Sequence, residues 1–334
     1  RILRLADALK GKVETTVLLP RENSQEICQL LNQKGIRYQS FSLSHITRNR
    51  KIALRYVICS GFEIFKIYSY VKKESFDIVH VSGGAWQYKG LIAGKLAGHT
   101  VIWHLNDTRL PTIFRWVFRA LSDVPDYYIF SSERTKQYYV PLIRRKKTLG
   151  AVVRQPVDTK VFSLDAVVPG VALLRERWEG NFVIGTIANI NPIKGLELFL
   201  NVAHRLNGKL KNLQFIVVGP VHKNQERYFH RLLKLVKELG VHNIDFPGRV
   251  SDTRGYLTIF DVFLCTSVSE SGPLTLWEAM SMQRAVVTTD VGDVRKYVCS
   301  GKSGEVLGIN DDLGMSEKIA ELYHDSERRK RYGE

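Results

Sequence analysis

Apolar residues gather along this chain in short blocks, separated by stretches with a helical period. Residues 13–19, 77–81, 100–105, 127–130, 181–188, 213–218, 244–246, 261–267 and 285–289 are such blocks, rich in β-branched, aliphatic and aromatic side chains. Blocks of that length predict buried strands. Between them, apolar positions recur every three or four residues. Ile2, Leu3, Leu5, Ala6 and Leu9 share one face over 1–10, as do Ile27, Leu30 and Leu31 over 23–34, and Leu196, Phe199, Leu200 and Ala203 over 195–206. Residues 46–73, 90–98, 111–122, 133–139 and 225–239 are predicted helices as well. Strand and helix alternate, which argues for an α/β fold with parallel sheets. The 334 residues suffice for two domains. Residues 151–163 hold the expected boundary, giving domains 1–156 and 157–334.

The densest chemistry lies in 261–290, DVFLCTSVSESGPLTLWEAMSMQRAVVTTD. It predicts strand, turn, helix and strand. Pro273 suits the first helical position, where its missing N–H costs nothing. Glu270 precedes the helix and Glu278 lies inside it. N–H groups at the helix start favour an anion such as phosphate, and carboxylates before and within the helix suit sugar hydroxyls. The pattern fits a ligand that is both phosphate and polyol.

These residues resemble the Glu-x7-Glu signature of retaining, nucleotide-sugar-dependent glycosyltransferases of the GT-B fold, family four. The usual form is E-G-F-G-L-x-x-L-E-A-M, then a strand and T-D-x-G-G. Here the chain reads E-S-G-P-L-T-L-W-E-A-M, then A-V-V-T-T-D-V-G-D. The flanking D-V-F-L-x-x-S, ending on Ser267, strengthens the match. Further matches are Q-P-V-D-T-K-V-F at 155–162 for N-G-V-D-x-x-x-F, A-N-I-N-P-I-K-G at 188–195 for G-R-L-x-P-x-K-G, and F-P-G-R-V-S-D at 246–252 for F-x-G-x-V-x-D. The resemblance is specific from about 181 to 310 and looser before.

The fold it implies is GT-B: two Rossmann-like domains with parallel sheets facing across a cleft, the first on the acceptor side, the second binding the nucleotide sugar. Residue by residue, it implies that Glu278 takes the ribose hydroxyls and Glu270 the transferred sugar. Gly272, Pro273, Leu274 and Thr275 would present backbone to the diphosphate and sugar. Lys194 and Gly195 match the phosphate-binding motif, with Asn189 where Arg is usual. Arg249 and Val250 would hold the base. In W-H-L-N-D-T, Asn106 replaces a usual His and Asp107 matches the usual Asp. Asn cannot act as a general base, and His104, on the same strand face as Asn106, has an open role. Lys296 stands where relatives often have Glu.

Charge separates the two halves. Residues 1–156 carry 26 Lys and Arg against 11 Asp and Glu, and the remainder 23 against 22. A basic half points to an anionic partner. In 46–73, Arg48, Arg50, Lys51, Arg55, Lys66, Lys72 and Lys73 alternate with apolar residues including Phe62 and Phe65. Such a helix either docks on anionic lipid or packs in the core with a solvated basic face. Arg144, Arg145, Lys146 and Lys147 form a second cluster. The four cysteines lack metal-ligand spacing, so free thiols in a reducing compartment are expected. No apolar run approaches a spanning helix, and no signal peptide is visible. Both ends read as truncated: the first strand with its Gly-rich turn is missing, and ERRKRYGE stops inside a helical pattern.

There is no G-x-G-x-x-G after a strand, no complete Walker A loop, no Asp-x-Asp pair and no nucleic-acid module. Those absences disfavour other classes, and the resemblance implies hexosyl transfer (EC 2.4), with retention, from a nucleotide diphosphate sugar to a lipid-linked or polysaccharide acceptor. The expectation includes no metal or other cofactor, no nucleic acid, and a cytoplasmic location, peripheral on the inner face of a membrane. A nucleotide-sugar epimerase of the same fold and a non-catalytic nucleotide-sugar-binding subunit are the alternatives.

Overall fold

A computed structural model describes residues 2–22, 24–44, 56–108, 110–145 and 149–334. The chain divides into two compact units, 1–103 with 124–127, and 104–123 with 128–334. Residues 104–123 and 128–156, which the sequence reading assigns to the first domain, thus group with the second unit.

The first unit begins with α1 (Ile2–Ala8), β1 (Thr16–Pro20), α2 (Gln25–Gln33) and β2 (Arg37–Phe41), and β1 and β2 pair in parallel. Val17, Leu19, Leu31 and Ile36 form a small core there. Next come α3 (Ser60–Glu74), β3 (Ile78–Ser82), α4 (Tyr88–Leu96) and β4 (Thr100–Leu105). Of the predicted helix over 46–73, the described part is helical at 56–58 and in α3. Its basic start, with Arg48, Arg50, Lys51 and Arg55, lies outside the described residues, as do Lys146 and Lys147 of the second cluster.

After β4 the chain forms α5 (Thr112–Leu121), β5 (Tyr127–Phe130), α6 (Glu133–Tyr139) and β6 (Leu149–Val152). A four-stranded sheet has the order β3-β4-β5-β6.

The rest of the second unit is doubly wound. It comprises α7 (Val171–Arg177), β7 (Phe182–Ile187), α8 (Leu196–Asn207), β8 (Leu213–Val218), α9 (Glu226–Glu238) and β9 (Ile244–Gly248). It continues with α10 (Arg254–Ile259), β10 (Val262–Cys265), α11 (Leu274–Ser281), β11 (Ala285–Thr289), α12 (Val294–Tyr297), β12 (Glu305–Leu307), α13 (Asp312–His324) and α14 (Ser326–Gly333). The sheet order is β12-β11-β10-β7-β8-β9, and every neighbouring pair is parallel.

Alternation along the strands sends side chains to both faces, and both are covered. Ile184, Phe215, Val217, Leu264 and Val287 pack under α8 and α13. Val183, Ile216, Val218, Phe263 and Val286 pack under α10 and α11. Burial on both faces explains why these strands read as unbroken apolar runs. The order turns back between β7 and β10, and at such a switch point the strand ends diverge and leave a crevice at their carboxyl ends.

Candidate functional site

The loops at that switch point carry the residues singled out by sequence. After β7 the chain reads Ala188-Asn189-Ile190-Asn191. The Asn191 side chain accepts from Ile193 N at 3.0 Å and caps a single 3-10 turn, Pro192–Lys194. Lys194 therefore sits in the turn before α8, not at the helix start. Gly195 follows with φ +59°, and a Cβ there would lie 2.2 Å from the Thr266 carbonyl. Only glycine tolerates both that backbone and that approach. The loops after β7 and β10 are tied twice more: Thr266 Oγ1 donates to Lys194 O at 3.1 Å, and Val268 N to Ile193 O at 2.8 Å.

This scaffold points Lys194 at Glu270, with Nζ 2.5 Å from Oε1. Ser267 Oγ donates to the same oxygen at 3.0 Å, and Thr289 Oγ1 holds the Ser267 carbonyl at 2.6 Å. The side chains of Lys194 and Glu270 are 25% and 16% exposed. The pair is thus partly solvated, at the open ends of β7 and β10. Beyond Glu270, Pro273 has φ −73° and ψ 90°. With that extended ψ it is the N-cap, so the first helical residue is Leu274, one later than predicted. Leu276 N and Trp277 N bond the Pro273 carbonyl at 3.0 and 3.3 Å, and the amides of Leu274 and Thr275, which come before the first such bond, follow directly on the Glu270 turn.

The remaining predicted donor residues are spread more widely. Asn189 and Arg249 are exposed and Val250 is half-buried, with Gly248 before them at φ +74°. Glu278 is buried in the second turn of α11, at 4% exposure. Its neighbours Leu276 and Ala279 face the core under β10 and β11.

The β4 end is in the same unit as the Glu270 turn. His104 is buried at 5% exposure within β4, while Asn106 and Asp107 are half-buried past its end. Tyr139, fully buried at the end of α6, donates its hydroxyl to Asp107 Oδ1. Leu110 N donates to Tyr138 Oη at 2.9 Å, and Thr108 Oγ1 lies 3.3 Å from Ser269 Oγ. The strand end thus meets the residue next to Glu270. Thr108, Ser269, Tyr139 and Asn191 escaped the sequence reading. Of these, only Asn191 had a local signal, as an Asn before Pro where a turn begins.

A carboxylate, an ammonium and a helix start in one crevice can bind a phosphate-bearing polyol, and known proteins point the same way. Residues 175–334 match the family described as "Glycosyl transferases group 1". Residues 175–334 therefore form a group 1 glycosyltransferase domain. It is 28% identical over 174 residues to O-antigen chain mannosyltransferase C of Escherichia coli, covering 49% of this chain and 43% of that protein. It is 24% identical over 209 residues to the lipopolysaccharide core biosynthesis mannosyltransferase LpcC of Rhizobium leguminosarum bv. viciae, covering 62% and 55%. The chain thus spans about half the length of these curated relatives.

Among solved structures, Anabaena Alr3699/HepE in complex with UDP and glucose superposes with a TM-score of 0.84 at 17% identity, over 99% of this chain and 88% of that one. A glycosyltransferase from Rickettsia africae ESF-5 gives 0.79 at 16%, over 99% and 86%. At such identities the likeness establishes the fold, which is GT-B as the motifs implied.

Proposed function

We propose that this group 1 glycosyltransferase transfers a hexose from a nucleotide diphosphate sugar to a lipid-linked or polysaccharide acceptor, retaining the anomeric configuration. The observation that carries the reading is the Lys194–Glu270 pair at the β7/β10 switch point, directly before α11. In this reading the donor diphosphate takes Lys194 and the opening amides of α11, and Glu270 turns to a hydroxyl of the transferred sugar. Glu278 takes the ribose, and Arg249 and Val250 the base.

The bond from the anomeric carbon to the diphosphate oxygen then breaks. The acceptor oxygen attacks from the same face and passes its proton to the leaving phosphate. Lys194 and the helix start offset the charge that develops there. We assign no metal to this step, and activity should survive a chelator. Rescue of a chelated enzyme by a divalent ion would overturn that assignment. The printed names of the mannosyltransferase relatives support a glycan or lipid-linked acceptor, and the solved complex with UDP and glucose supports a uridine donor.

The finer reading places the enzyme peripherally on the cytoplasmic, anionic face of a membrane. No helix among the described residues is long and apolar enough to cross one. Phe62 and Phe65 on α3 are 65% and 62% exposed, with Lys66 Nζ 4.3 Å from the Phe62 ring centroid. Exposed rings among lysines suit an anionic surface. Sedimentation should find binding to anionic but not neutral vesicles, weakened by salt. Equal binding to both, or to neither, would refute it.

The donor assignment is tested by thermal shift with uridine, guanosine and adenosine diphosphate sugars, followed by product analysis by mass spectrometry. One donor class should raise the melting temperature through preferential binding to the folded state and yield a glycosylated acceptor. No shift with any of the three would sink the reading.

A further inference from the structure

Asp293 is an acid that the donor reading leaves unused. It follows Gly292 in T-T-D-V-G-D, at the place where the family pattern has a second glycine. Only 9% of it is exposed, and three donors converge on its carboxylate. Oδ2 accepts from Glu133 N at 3.0 Å and Arg154 Nε at 3.1 Å, and Oδ1 from Arg134 N at 3.2 Å. A buried carboxylate is costly to desolvate and persists where charge-assisted bonds of this kind offset the cost.

What those bonds connect matters more than their number. On one side, Gly292 adopts φ +56° against the donor turn, where a Cβ would come 2.6 Å from Ser271 O and 3.3 Å from Glu270 O. On the other side, Asp293 holds the first two amides of α6. That helix spans two turns and ends in Tyr139, which donates to Asp107. A two-turn element therefore has Asp293, one residue from the glycine that lies against the donor turn, at its start and the β4 end at its finish. Arg134 adds a parallel tie, donating from Nη1 to Asp290 O at 3.1 Å.

We propose that Asp293 is a positioning residue: through α6 it sets where Asp107 and the loop around it stand relative to Glu270, and so aligns acceptor with donor sugar. The proposal rests on the glycosyl-transfer reading for its consequence, but not for its geometry.

The test compares wild type with Asp293→Asn, Asp293→Glu and Arg154→Gln, by hydrogen exchange read by mass spectrometry and by steady-state kinetics. Asp293→Asn turns an amide toward N–H donors. It should raise exchange roughly tenfold over 133–139 and also over 104–108. It should lower kcat roughly tenfold, with KM for the nucleotide sugar within about twofold. Asp293→Glu should recover part of the rate. Arg154→Gln, which leaves the acid in place, should show the same pattern more weakly, and it carries the test if Asp293→Asn does not fold. Unchanged exchange over 104–108 with faster exchange over 133–139 would overturn the proposal, leaving Asp293 a helix cap only. Unchanged kcat would overturn its catalytic consequence. A wild type that moves no sugar from any donor would defeat the functional reading instead, while the exchange at 104–108 still decides the tie.

Discussion

Two Lys–Glu pairs, one in each unit, show how far the same two residue types can differ. Lys89 and Glu63 are each 6% exposed. Ser44 donates to Glu63 through its backbone N at 2.7 Å and its hydroxyl at 3.1 Å. Lys89 Nζ also bonds Ser44 Oγ at 3.0 Å and lies 3.4 Å from the Tyr56 ring centroid. Each charge is enclosed by protein partners. Lys194 and Glu270 instead lie partly in solvent at 25% and 16% exposure, on loops that end two strands at a switch point. The first pair holds α3 and α4 together. The second presents its charges where a ligand can reach them. The contrast teaches that solvation and position on the sheet separate an enclosed ion pair from one a ligand can reach, since residue identity does not.

The sharpest way to break the comparison is to remove each lysine. Lys89→Met strands a buried carboxylate and should cost about 3–5 kcal/mol of folding stability. Lys194→Met should cost less than about 1 kcal/mol, because solvent already screens its partner. Urea unfolding measures both, and equal losses would erase the distinction.

The donor side can be sharpened next. Glu278→Ala should weaken nucleotide binding by about 1.5–3 kcal/mol, the worth of charge-assisted bonds to a ribose. Unchanged calorimetric affinity would remove Glu278 from the site. Glu270→Gln should lower turnover more than nucleotide affinity, because its proposed contact is with the moving sugar. Equal losses in both would make it structural.

The smallest expected effect is on pH. Burial raises the Glu63 carboxyl, but the Lys89 ammonium and the Ser44 bonds outweigh it and hold the group below its ordinary value. A depressed folded value stabilises the protein above the unfolded pKa, about 4.3, and that contribution vanishes as pH falls through the folded value. Acid titration of wild type against Glu63→Gln should therefore show stabilities that converge as pH drops below about 4. A constant gap would contradict the assignment.

Much of the doubly wound sheet was legible in the chain. The block 213–218 is β8, and 181–188 overshoots β7 by a residue at each end, because strands buried on both faces are continuously apolar. Less was legible where elements are short or mixed. The four-residue β6, the six-residue α10 and the three-residue β12 carry too few periods to register. The site divides along the same line. Glu270, Glu278, Lys194 and Gly195 stand in local motifs, and the spacing exposes them. Their partnerships do not follow from spacing. Lys194 meets Glu270 across 76 positions, and Asp293 meets Glu133 across 160. The sheet order brings the first pair together, and the second joins segments that follow strands of two different sheets. His104 reads as a candidate from its place near a strand end, yet it is buried inside β4, and half-buried positions resume only past the strand, at Asn106.

The central claim is that the Lys194–Glu270 pair opens to a nucleotide diphosphate sugar. Calorimetric titration of wild type and Lys194→Met with uridine, guanosine and adenosine diphosphate sugars tests it most directly. The account predicts saturable one-to-one binding of one donor class by wild type. It also predicts a loss of about 1.5–3 kcal/mol, roughly ten- to hundredfold in Kd, in Lys194→Met. Binding of none of the three by wild type, or equal affinity in both proteins, would contradict it.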